Sequence, residues 1–311
     1  LDGVWFDSQN QSGSDASLSQ SSTDPYFLHS EANNNEQYRA QVNGYLQANV
    51  VRDYTLSFAP SFPTIGTQTS FPVKTGVSGT CNAFYDYSSI NFYNAGGGCS
   101  NTAFSVIVHH EYGHHLVAVA GSGQGAYGEG MGDVMGVLIT GDNQLARGFS
   151  SNDCVNGIRN AINNHQYPCS GEIHDCGQLI SGCVWDTVAE MEAAYPGQGV
   201  SIVAELAINS IPMHSGTEID PTITTDWLVL DDDDGDLSNG TPHSVQILAG
   251  FAMHSMDDFP PPPEYACCID EECSELTFDA CAEAGGAWRN GYSCAQVSCI
   301  PLPNDFCESA E

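Results

Sequence analysis

The sequence predicts an α+β fold with a mixed N-terminal lobe, a mainly helical C-terminal lobe and a small disulfide-rich module at its end. Three observations carry this expectation. Two apolar runs with helical period, at 104–120 and 126–141, sit back to back in mid-chain. The stretch "NAFYDYSSINFY", 82–93, precedes them and alternates like a strand. Beyond the run "PPPP" at 260–263, six cysteines crowd into a short acidic segment.

Taken in order, residues 1–34 are rich in Ser, Asn, Gln and Asp and read as an irregular arm. A helix follows from about Glu36 to Arg52, with Tyr38, Val42, Tyr45, Leu46 and Val50 along one side. Loop and strand lead on to Tyr93. Cys81 and Cys99 flank that strand. Its residues suit an exposed edge that adds a peptide as one more strand, and equally an ordinary edge strand under a disulfide. The N-terminal lobe, 35–140, then closes on the two central helices. The C-terminal lobe, 141–258, starts with loops that carry Cys154, Cys169, Cys176 and Cys183. Helices are expected there near 175–194, 199–211 and 242–256, the last with Thr241 as N-cap and Pro242 at its first position. A stiff proline linker, 259–263, leads to the module at 264–300. Its Cys267, Cys268, Cys273, Cys281, Cys294 and Cys299 allow about 15 pairings. Residues 301–311, with an odd Cys307, read as the start of a further segment and point to further domains or extracellular assembly.

The chain has 10 histidines, and four of them fall in "HHEYGHH", 109–115. On a helix, His110 and His114 lie one turn apart on one face, so two imidazoles can grip one Zn²⁺. Glu111 then lies beside the open coordination position as a general base. Asn101 or Thr102 suits the cap of this helix, and Gly121 its left-handed end. His109 and His115 point about 100° away from the ligand face, towards second-shell or surface positions. In "AYGEGMGDVMGVLITG", Glu129 and Asp133 are again four apart. Glu129 completes a His-His-Glu ligand set, and Asp133 is placed to accept the remaining ring N–H of His110. Gly128, Gly130, Gly132 and Gly136 cost helix stability, which makes sense if this helix lies very close to the first.

"HEYGH" and "GEGMGD" together resemble the fungalysin and thermolysin group of zinc metallopeptidases. The resemblance extends over roughly 35–255. It implies a thermolysin-like two-lobed fold, with the edge strand and the zinc helices in the N-terminal lobe. It also implies that Asn82 and Ala83 hydrogen-bond the substrate backbone. Through "GIR", 157–159, it implies that Arg159 holds a substrate carbonyl; by its own chemistry Arg159 also suits a structural ion pair. Through "GEIHDCGQLISGCVW", 171–185, it implies that His174 stabilises the transition state. The group's oxyanion-assisting tyrosine has Tyr127 as its candidate here, and the spacing from His114 to Glu129 is short for the group. The C-terminal module resembles short Cys-rich repeats of secreted bacterial proteins.

Asp plus Glu number 39 against 6 Lys plus Arg, a formal charge of −33. That sign excludes nucleic acid and anionic membranes as natural partners. No apolar run is long enough to span a bilayer. Thirteen cysteines indicate an oxidising, extracellular setting and a mature secreted form. In "DDDDGDLSNGTPH", 231–243, Asp232, Asp234 and Asp236 alternate like Ca²⁺ ligands, and a solvated acidic turn explains the same residues. The function expected is a secreted zinc endopeptidase acting on proteins or peptides. The alternative is a structural or adhesive extracellular protein on the same scaffold. An aminopeptidase would need an acidic anchor for a free N-terminus, and no Gly-x-Met-x-Asn motif precedes the zinc helix.

Overall fold

Phe6 and Ser8 are buried while their neighbours are not, and this period-2 pattern makes Phe6–Asn10 a strand, β1, where an irregular arm was expected. The computed structural model describes residues 1–17, 21, 23, 35–151, 153–257, 264–289 and 292–300. In it β1 runs parallel to β2 (Phe71–Val77). The stretch expected as one strand is a hairpin of β3 (Ala83–Tyr85) and β4 (Ile90–Tyr93). Asp86 breaks it, because its Oδ1 accepts the N–H groups of Ser88 and Ser89 in an Asx-type turn. The sheet order is β1-β2-β4-β3, which leaves β3 with a free edge among the described residues. A disulfide joins Cys81, just before β3, to Cys99.

The first helix, α1 (Glu36–Phe58), runs past the expected Arg52. Asn35 caps it by accepting from the Gln37 N–H. Only part of its apolar stripe meets the core: Tyr45 packs against it, Tyr38, Leu46 and Val50 are exposed, and Ala40, Gly44, Ala48 and Val51 are the buried positions. Proximity decides this. A Cβ on Gly44 would lie 2.9 Å from Val73 on β2, so the sheet packs against the small face of the helix.

Three helices form the centre: α2 (Ser105–Ala120), α3 (Gly125–Thr140) and α4 (Ile173–Ala194). Glycines let α3 sit between the other two. A Cβ on Gly113 of α2 would meet the Gly132 Cα at 2.7 Å, and one on Gly177 of α4 would meet the Gly130 N at 2.9 Å. Gly121 ends α2 at φ 87°, as expected. The N-cap is Phe104, without a side-chain bond. The expected caps act earlier: the Asn101 Oδ1 accepts from the Ala103 N–H, and the Thr102 hydroxyl donates to the Asn82 carbonyl.

A two-residue pairing of β5 (Gln144–Leu145) with β6 (Arg159–Asn160) brings Arg159 back beneath α3. Helices α5 (Gly199–Ser210), α6 (Thr222–Asp231) and α7 (Ser244–Ala252) complete the helical part. α6 was not expected. α7 begins after Thr241–Pro242, because Asp231 accepts from both the Thr241 hydroxyl and the His243 N–H and holds that segment as a bridge. One apolar core runs from Phe6 to Met256. No helix among the described residues is long and apolar enough to cross a membrane.

In the terminal module, β7 (Tyr265–Ile269) pairs with β8 (Glu272–Leu276) and β9 (Ala287–Arg289), beside α8 (Phe278–Glu283). Its cysteines pair as Cys267–Cys281, Cys268–Cys299 and Cys273–Cys294. A further disulfide, Cys169–Cys176, braces the start of α4. Cys154 and Cys183 are free thiols, exposed and buried respectively. The proline run 260–263 and the segment 301–311 with Cys307 lie outside the described residues.

Candidate metal centre and cleft

His110 and His114 occupy successive turns of α2, and Glu129 faces them from α3. Their donor atoms converge. The Glu129 Oε2 lies 3.2 Å from the His110 Nε2 and 3.6 Å from the His114 Nε2. Tetrahedral Zn²⁺ with bonds of about 2.0–2.1 Å separates its ligand atoms by roughly 3.3 Å, so both Glu129–His separations are near that value, and all three atoms lie within 4.8 Å of one another. The far nitrogen of each ring is also engaged. The His110 Nδ1 is 2.8 Å from the Asp133 Oδ1, and the His114 Nδ1 is 2.8 Å from the Gln124 Oε1. Both partners are acceptors, so each Nδ1–H donates to its partner and each Nε2 is the ring nitrogen turned towards the metal position.

Gln124 was missed by the sequence reading. It reaches His114 because residue 128 is glycine: a Cβ there would lie 2.6 Å from the Gln124 Oε1. The Gln124 Nε2 also donates to the His114 carbonyl at 3.0 Å. A polar residue at the head of a glycine-rich helix was the available signal.

Asp133 is buried and shared. Arg159 donates to it through Nε at 2.7 Å and Nη2 at 2.6 Å while also lining the cleft. The ion-pair reading of Arg159 thus holds, and Nη1 is left for other contacts. Burial raises the Asp133 carboxyl, but Arg159 and His110 outweigh it and the net shift is downward. Glu129 behaves alike: burial raises it, and hydrogen bonding to the two histidines holds it far below the usual carboxylate range. Burial lowers His110, and its carboxylate neighbours reverse this and lift it to about 10. Burial pushes the Glu111 carboxyl up, partly offset by His110 and His114. Three buried carboxylates, Glu111, Glu129 and Asp133, thus face one guanidinium.

A cleft of about 400 Å³ opens above this point. Asn82, Ala83, Phe84, Tyr85 and Tyr87 line it, with Ile107, Phe149 and Ile158, and so do His110, Glu111, His114 and Glu129. His174 enters from the first turn of α4, its Nε2 3.3 Å from the Glu129 Oε2. Glu172, also missed from sequence, orients it. One carboxylate oxygen caps α4 by accepting from the His174 and Asp175 N–H groups, and the other accepts from the His174 Nδ1 at 2.6 Å.

Tyr127 is a correction. It lies two residues before Glu129 on α3, about 200° round the helix, and so faces away from the cleft. It is fully buried against His214, ring centroids 4.0 Å apart. Asp236 is another. It caps a short 3₁₀ turn (Leu237–Asn239) by accepting from the Ser238 N–H, whereas the carboxylates that gather are those of Asp232, Asp233 and Asp234. Asp232 and Asp234 in turn accept from the Gly235 and Asp236 N–H groups, as a self-capped acidic turn does. His109 and His115 are both buried.

No family model and no curated protein matches the chain. Among solved structures, the precursor of protealysin, a metalloproteinase from Serratia proteamaculans, is similar at a TM-score of 0.57 and 13% identity, over 82% of this chain and 88% of that one. At that identity the likeness is one of fold: the chain shares the α+β fold of that protein, and inside it two histidines and a glutamate bring their donor atoms together.

Proposed function

We propose that this protein is a secreted zinc-dependent endopeptidase. The observation that carries the reading is the convergence of the His110 Nε2, His114 Nε2 and Glu129 Oε2 within 4.8 Å of one another beside Glu111, in a cleft bounded by a sheet edge that is free among the described residues. Those three residues would hold Zn²⁺, which would supply Lewis acidity and a water of lowered pKa. Glu111 takes the proton of the attacking water and returns it to the leaving amine. As the imidazolium, with its Nδ1–H held by Glu172, His174 donates from Nε2 to the oxygen on which charge develops. Asn82 and Ala83 align the peptide along the edge, and the Arg159 Nη1 is directed to a substrate carbonyl. Five disulfides among the described residues support an extracellular setting.

Metal analysis beside a casein-degradation assay tests this. The wild type is expected to hold near-stoichiometric zinc and to lose activity with chelator. His114→Ala is expected to lose zinc. Glu111→Gln is expected to keep zinc and fold but to lose about 10²–10⁴-fold in rate. Zinc-loaded wild type that cleaves nothing would favour the structural or adhesive alternative.

A further inference from the structure

The turn after β3 holds a tyrosine where tyrosine is disfavoured. Tyr87 has φ 66°, in the left-handed region that favours Gly, Asn and Asp. The turn is fixed around it. The Asp86 N–H donates to the Ser89 carbonyl at 3.1 Å, and the Asp86 Oδ1 accepts from the Ser88 and Ser89 N–H groups. Core packing does not account for the residue, because Tyr87 is 71% exposed. The ring is nevertheless placed. It lies 5.3 Å from the Tyr85 ring, and the Tyr85 hydroxyl is held by the His115 Nδ1 at 3.0 Å. Both rings line the cleft. Strained residues of this kind concentrate at ligand clamps.

The backbone supplies the geometry of the ligand. The Asp86 N–H is bonded across the hairpin, so by the alternation of an antiparallel pair the Phe84 groups also point to β4. The N–H and C=O groups of Ala83 and Tyr85 then point to the free edge. An extended peptide paired there runs on past Tyr87.

We propose that Tyr87 is a specificity-determining residue that receives an aromatic or large apolar side chain of the bound peptide. This rests on the endopeptidase reading above. The tyrosine ring and its strained backbone form one face of a subsite, and the Tyr85–His115 contact fixes that subsite relative to the metal ligands.

Zinc-loaded wild type, Tyr87→Phe and Tyr87→Asn are incubated with an oligopeptide library, and cleavage sites are read by mass spectrometry. The wild type is expected to enrich aromatic and large apolar residues at one substrate position. Tyr87→Phe keeps that enrichment, and Tyr87→Asn lowers the aromatic-to-alanine ratio there about tenfold. Tyr87→Asn also melts higher, by about 2 °C, because Asn tolerates the left-handed backbone. An unchanged profile in Tyr87→Asn overturns the inference while leaving the peptidase standing. If the wild type cleaves no peptide, the peptidase reading falls, and anisotropy with a labelled Phe-rich peptide judges Tyr87 separately. Tenfold weaker binding by Tyr87→Asn upholds the subsite, and equal binding overturns it.

Discussion

Gly113→Ala sets two effects of known size against each other. In a helix interior, alanine is favoured over glycine by about 1 kcal/mol. Against this, the new Cβ would lie 2.7 Å from the Gly132 Cα and 3.2 Å from the Met131 carbonyl oxygen. Both are backbone atoms and cannot rotate away. Restoring ordinary contact requires α3 to retreat from α2 by roughly 0.7 Å, the shortfall from about 3.4 Å, and overpacking of this kind costs about 1–3 kcal/mol. The net effect is a loss of up to about 2 kcal/mol. The larger consequence is at the metal. Glu129 rides on α3, so the 3.2 Å and 3.6 Å separations from His110 and His114 widen beyond the roughly 3.3 Å that one Zn²⁺ spans. Zinc affinity is expected to fall at least about tenfold, the scale on which supporting positions act. Competition with a chromophoric chelator measures it, and thermal unfolding measures stability. A Gly113→Ala protein that is more stable by about 1 kcal/mol and binds zinc as the wild type does would refute the close-approach reasoning.

Two further outcomes follow from the residues around the ligands. Gln124→Ala is expected to weaken zinc binding about 10–100-fold, and Gln124→Glu to restore most of it by supplying an acceptor to the His114 Nδ1; equal affinities in all three proteins would remove Gln124 from the site. Burial lowers His109 from 6.5 to about 4, so the unfolded chain binds its proton first and stability is lost as pH falls from about 6.5 towards 4. Relative to His109→Leu, the wild type should lose about 3 kcal/mol across that window in urea unfolding, and a pH-independent difference between the two would sink the assignment.

The ligand trio was legible because helical spacing is local: residues four apart share a face whatever surrounds them. The partners of the ligands were not legible. Gln124 reaches His114 through the gap at Gly128, and Glu172 reaches His174 because it sits at a helix N-cap. Both contacts depend on where a loop delivers the chain. Periodicity also misled. The apolar stripe of α1 at Tyr38, Leu46 and Val50 faces out, because the sheet needs the small face at Gly44. The alternation through 82–93 hid a turn, because Asp86, Ser88 and Ser89 continue the period of the strand while their side chains close the hairpin.

The four histidines of α2 divide their work by direction. His110 and His114 face Glu129, whereas His109 bonds to Gln47 of α1 at 2.8 Å. His115 uses both nitrogens. Its Nε2–H donates to the Gln68 Oε1 at 2.8 Å, and its Nδ1 accepts from the Tyr85 hydroxyl at 3.0 Å. Burial keeps His115 neutral, lowering it to about 4, and pushes the Tyr85 phenol up to about 12, so each holds the protonation state this bond requires. A buried neutral imidazole can bridge a donor and an acceptor in this way, which lysine and arginine cannot. The consequence is geometric. Tyr85 belongs to the strand that borders the cleft, and His115 follows His114 directly in the chain. The sheet edge and the proposed metal ligands His110 and His114 are therefore registered through a single helix, and any change that tilts α2 moves both together.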